Sequence, residues 1–92
     1  MSTEGATGRA RAEVEARVRE LLAELLETEP DAIPLEEPFA DLGIDSLQGL
    51  ELLVRIEQEY GVHVPEEELP SFPTPRSVVE RVLKELEGGP RR

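Results

Sequence analysis

Ninety-two residues with a formal net charge of −11 and no cysteine make one small domain with a thin core, burying roughly 60–65% of its unfolded surface. That leaves little room for a deep catalytic cleft and excludes disulfides, thiolate zinc sites and a thiol nucleophile of the chain's own. Nucleic acid is excluded as a partner because a phosphate backbone calls for a basic face. With no apolar stretch of about 18 residues and no signal segment, the chain is expected in the cytoplasm, away from any membrane.

Residues 1–8 and 88–92 read as disordered tails around a single domain spanning 9–87. The first helix is expected from about Arg9 to Glu27, where Val14, Val18, Leu21, Leu22 and Leu25 form one buried stripe. Pro30 and Pro34 end it. A long loop follows from Thr28 to Ile44, with Ile33, Leu35, Phe39 and Leu42 as apolar anchors. Gly43 breaks the chain, and Asp45 with Gln48 three residues later forms a capping-box signal, so the second helix begins at Ser46. It runs to about Tyr60, and Gly61 stops it.

The second helix carries two apolar stripes. Leu52, Leu53, Ile56 and Tyr60 make one; Leu47, Leu50 and Val54 make the other, flanked by Glu51, Gln58 and Asp45. A small domain has one core to offer, so the second stripe is expected to be partly exposed, in the form of an interaction face. The alternation in VHVPEEEL, residues 62–69, is demoted as a strand by Pro65, which instead suits the start of a short third helix. PSFPTP, residues 70–75, reads as a stiff turn anchored by Phe72. Thr74 caps a last helix opened by Pro75, whose inward stripe is Val78, Val79, Val82, Leu83 and Leu86. The whole is an all-α fold with four helical segments and no strand.

From Glu27 to Pro70 there are thirteen acids (Glu27, Glu29, Asp31, Glu36, Glu37, Asp41, Asp45, Glu51, Glu57, Glu59, Glu66, Glu67, Glu68) and one base, Arg55. This is either a solvated face or a docking surface for basic partners. His63 is the only histidine, so neither a serine triad nor a histidine metal site can be assembled in the usual way. No phosphate loop, dinucleotide fingerprint or calcium loop appears. The residue that stands out is Ser46, in the first turn of a helix. Unpaired backbone amides and the positive end of the helix dipole favour an attached phosphate there. Such a serine suits an acceptor, with the base supplied by another enzyme.

LGIDSL at residues 42–47, followed by Glu51 and Leu52, IEQEYGVHVPEEEL and PTPRSVVERV, resembles the acyl carrier proteins of fatty-acid and polyketide synthesis. The resemblance covers roughly Val14 to Leu86. It implies a four-helix bundle with a short third helix and a long loop between the first two. It also implies a non-catalytic, monomeric carrier whose motif serine, Ser46, receives a 4'-phosphopantetheine arm from coenzyme A through a magnesium-requiring phosphopantetheinyl transferase. The arm's thiol would hold acyl or polyketide intermediates as thioesters. On the same grounds Asp45, Leu47, Leu50, Glu51, Val54 and Val64 fall on a partner-docking surface, facing basic patches of a ketosynthase, acyltransferase or acyl-activating ligase.

Gln58, Arg55, Pro70 and the helix-interior Gly49 depart from the fatty-acid pattern. Together they point to a free-standing carrier of a natural-product pathway. Two other readings are a peptidyl or aminoacyl carrier, for which Gly43-Ile44-Asp45 is the less usual approach to the serine, and an unmodified helical interaction module. The branched and aromatic residues already fill a thin core, so any sheltered cavity is expected to be small.

Overall fold

The computed structural model describes residues 3–88, with side chains described for 10–87. Helix α1 (Thr3–Leu26) is followed by a 3-10 turn (Pro30–Ala32), α2 (Phe39–Leu42), α3 (Ser46–Tyr60), a 3-10 helix (Glu66–Ser71) and α4 (Pro75–Gly88). The four expected helical segments are present, and no strand occurs among the described residues. Helix α1 begins at Thr3 rather than near Arg9. Nothing before Pro30 forbids helix, and Ala6, Ala10 and Ala12 favour it enough to carry Gly5 and Gly8. Of the expected tails, residues 1–2 and 89–92 lie outside the described residues.

Helix α1 ends in a Schellman motif. Thr28 N donates to Ala23 O at 2.9 Å and Glu27 N to Glu24 O at 3.4 Å. Glu27 takes the left-handed position that glycine usually fills, at φ 58°. The loop that follows is more ordered than its sequence suggests. Ile33 and Leu35 are buried in the core and Phe39 packs against it, while Arg76 N on α4 donates to Leu35 O at 2.8 Å. The Arg76 guanidinium also reaches Glu15 on α1 at 2.6 Å and Glu36 in the loop at 2.9 Å. One α4 residue therefore ties the loop to two helices.

The core lies where α1 packs against α3 and α4. Val14, Val18, Leu21 and Leu22 of α1 meet Leu52, Leu53 and Ile56 of α3 and Val78, Val79, Val82 and Leu83 of α4, all buried. Leu86 was expected on the inward stripe of α4 but is 42% exposed, because it falls in the final turns, at the end of the bundle. The short third helix is 3-10 rather than α and continues through Pro70 to Ser71, so the expected stiff turn begins later. Its bonds have the i to i+3 form, with Glu68 N to Pro65 O and Phe72 N to Leu69 O both at 3.0 Å. Phe72 is buried as its anchor. At the start of α4, Thr74 Oγ1 accepts from Ser77 N at 3.2 Å and Ser77 Oγ from Thr74 N at 3.3 Å, a reciprocal cap.

Candidate functional site: the N-terminus of α3

Gly43 takes a left-handed φ of 86°, which turns the chain out of α2 and aims it at the start of α3. A side chain would be strained in that conformation. Asp45 then caps α3 with a complete capping box. Its Oδ1 accepts from Gln48 N at 2.8 Å, and Gln48 Oε1 accepts from Asp45 N at 3.1 Å. Gln48 is itself steadied by Nε2 donating to Leu25 O on α1 at 3.5 Å. The box takes up two of the amides at this helix end and leaves those of Ser46 and Leu47 without a helical acceptor. Ser46 is the first residue of α3 and is exposed. Its hydroxyl thus stands in solvent beside two such amides and the positive end of a fifteen-residue helix, an environment that favours a phosphodiester.

The sequence-predicted residues around Ser46 come together on one face, with one correction. Leu47 is 73% exposed and Val54 50% exposed, Asp45 and Glu51 are exposed, and Leu50 is half-buried. Val64 does not belong on that face, because it is only 4% exposed and joins the core cluster. Its amide donates to Glu57 Oε2 at 2.7 Å, which fastens residues 62–65 down onto α3 and turns the side chain inward. Val64 supports the exposed face from beneath. With Leu50, Leu53, Val54 and Pro65 it lines a surface groove of about 380 Å³, rimmed by Glu57, His63 and Glu66.

Sequence reasoning missed a second feature, an apolar cleft of about 320 Å³ that opens beside Ser46. Pro38, Phe39 at the start of α2 and Ile44 form one wall, Leu69, Pro70 and Phe72 the other, and Gly49 of α3 lies between them. The cleft is at the low end for ligand sites, in keeping with the small cavity expected. Gly49 is the signal that could have revealed it. A β-carbon at that position would stand 3.2 Å from Leu69 Cδ1, so the missing side chain is what lets the 3-10 helix approach α3.

Five arginines among the described residues are committed elsewhere. Arg11 pairs with Glu80, Arg17 with Glu59 and Glu20, Arg55 with Glu24, Arg76 with Glu15 and Glu36, and Arg81 with Glu68 and Glu85. Arg55, the one base of α3, is therefore turned toward α1. No such pair engages Asp45 or Glu51 among the described residues, and the face around Ser46 keeps its negative charge. No helix among the described residues is long and apolar enough to cross a membrane.

The family model described as a phosphopantetheine attachment site matches residues 16–82. Among curated proteins, the chain is 40% identical over 87 residues to the non-reducing polyketide synthase tazA of Aspergillus terreus, covering 92% of this chain and 3% of that synthase. Among solved structures, it resembles the A1-type ACP domain from module 5 of MLSA1 (29% identity, TM-score 0.72, 85% of this chain and 79% of that one). It also resembles the HMG-ACPI domain from the CurA module of Lyngbya majuscula (28% identity, TM-score 0.73, 86% and 82%). An acyl carrier protein from Thermotoga maritima shares the fold at 24% identity and a TM-score of 0.74, over 86% and 93% of the two chains. The family match runs from α1 well into α4, so the chain belongs to the phosphopantetheine attachment family, non-catalytic carrier domains that bear a covalent 4'-phosphopantetheine.

Proposed function

We propose that Ser46 is the residue that takes the arm and that this chain carries acyl or polyketide intermediates between the enzymes of a natural-product pathway. The observation that carries the reading is the presentation of Ser46, exposed as the first residue of α3 behind a closed Asp45–Gln48 capping box. The Ser46 Oγ would attack the pyrophosphate of coenzyme A. The new bond is Oγ to phosphorus, the pyrophosphate bond breaks, adenosine 3',5'-bisphosphate leaves, and the transferase takes the hydroxyl proton. Once attached, the arm supplies a thiol on which cargo is held as a thioester.

The chain's own residues present and surround that arm. The amides of Ser46 and Leu47 face a phosphodiester there, and Asp45 holds the helix end in register. Leu47, Leu50 and Val54, with Asp45 and Glu51 beside them, form the surface offered to the transferase and to pathway enzymes such as a ketosynthase or acyltransferase, whose docking patches would be basic. Exposed ion pairs contribute about 0.2–1 kcal/mol each, so docking is weak, fast and sensitive to salt, as a shuttle needs. The likeness to a non-reducing polyketide synthase favours a polyketide or acyl cargo over an amino acid.

The test is intact mass after incubation with coenzyme A, magnesium and a broad-specificity transferase, with Ser46→Ala alongside. One phosphopantetheine-sized increment on the wild type and none on the variant is expected. No increment on folded wild type with two transferases refutes the reading and leaves α3 as a plain binding surface.

A further inference from the structure

The two walls of the cleft beside Ser46 are held in different ways. The loop wall is bonded to the rest of the fold: Phe39 N donates to Pro73 O at 2.9 Å and Arg76 N to Leu35 O at 2.8 Å. The opposite wall is the six-residue 3-10 helix Glu66–Ser71, with a proline inside it and none of its own residues buried, followed by Phe72. Such a helix has poorer hydrogen-bond geometry than an α-helix, and its proline lacks a donor, so it depends on what grips it from outside. Leu69 rests over Gly49, and Phe72 is buried at the far end.

A single side chain on α4 reaches this wall at two points, near its middle and at its C-terminal end. Arg81 Nη1 donates to Glu68, and the same guanidinium lies 5.9 Å from the centroid of the Phe72 ring. Its Nε donates to Glu85 Oε2 at 2.9 Å, one turn further along α4, which fixes the plane of the fork. Of the cleft-lining residues of this wall, Leu69 and Phe72 each sit next to or at one of the two gripped points.

We propose that Arg81 is a positioning residue that holds the Glu66–Phe72 wall closed against α3 through Glu68 and Phe72, and so sets how well the cleft shelters the apolar start of a cargo on Ser46. The sheltering rests on the carrier reading; the clamp is measurable on the unmodified chain. Arg81 does not line the cleft and acts on it only through the wall.

Two measurements on the full chain test this. In the unmodified protein, millisecond hydrogen exchange of the amides of 66–72 is expected to quicken about three- to tenfold in Arg81→Gln. The core amides of α1 and α3 keep their wild-type rates. Arg81→Lys, which keeps the charge and loses the planar fork, falls between, and Glu68→Gln loosens the segment in part. In protein loaded with acetyl- or octanoyl-phosphopantetheine, cleavage by hydroxylamine is expected to speed up in Arg81→Gln for octanoyl and not for acetyl, which is too short to occupy the cleft. A general structural role would quicken exchange throughout the chain or affect both cargoes equally, and either result overturns the proposal, as does no change at 66–72. Quickened exchange at 66–72 in a chain whose Ser46 refuses the arm supports the clamp and refutes the carrier reading, so the two fail separately.

Discussion

Replacing Gly49 with alanine sets two effects of similar size against each other. Alanine in place of a glycine inside a helix is worth about 1 kcal/mol. Against this, the new β-carbon would lie 3.2 Å from Leu69 Cδ1 and 3.5 Å from Cδ2, where carbon contacts prefer about 3.5–4.0 Å. Leu69 is half-buried in a short 3-10 helix, so it can retreat by a few tenths of an ångström at a cost of about 0.5 kcal/mol. Gly49→Ala is therefore expected to stabilise by about 0.5 kcal/mol, while Gly49→Val, with two further methyl groups to place, destabilises by about 1–3 kcal/mol. Urea unfolding followed by far-ultraviolet circular dichroism measures both. In a Leu69→Ala background the crowding is gone, and the alanine should show its full gain of about 1 kcal/mol. A loss of more than about 1 kcal/mol for Gly49→Ala, or identical effects in the two backgrounds, would refute the account of why glycine stands there.

Glu27→Gly relieves the left-handed φ of 58° at the end of α1 and should stabilise by about 0.5–1 kcal/mol in the same unfolding assay. Leu47→Ala and Val54→Ala, at exposed positions, should change stability by less than about 0.5 kcal/mol while slowing arm transfer in a kinetic assay of the transferase. The Arg81 hydrogen bond holds the Glu68 carboxyl below the usual carboxylate range, with His63 adding to the pull and partial desolvation opposing it. A depressed carboxylate stabilises fully above its unfolded pKa and loses that contribution as pH falls through the folded value. Protection of 66–72 against exchange, taken relative to the intrinsic rate at each pH, should thus fall at the acid end of carboxylate titration, and Glu68→Gln should remove that step.

Much of the site was legible because the signals that set it are local. Asp45, Gln48 and Gly61 fix both ends of α3 within a few residues of where they act, and the structure has the helix at Ser46–Tyr60 as read. The two short helical turns in the loop were not legible, since three or four residues are too few to show a period. Val64 was assigned to the surface by resemblance, yet its direction depends on the Glu57 carboxylate catching its amide, a contact seven residues away that no pattern announces. Leu86 continues the stripe of α4 perfectly well; what it lacks is core to meet. Gly49 read as an unfavourable residue because its reason, Leu69, lies twenty positions along the chain and arrives only through folding.

The pairing of arginines with glutamates away from the Ser46 face also bears on how this protein would meet copies of itself. A surface with mixed, free charges of both signs lets identical molecules find complementary orientations as they are concentrated. Here Arg11, Arg17, Arg55, Arg76 and Arg81 are already occupied within the fold, so what a neighbouring copy meets is chiefly uncompensated acid. Two copies approaching through their Ser46 faces would repel, whereas a surface of opposite sign meeting Leu47 and Val54 would not.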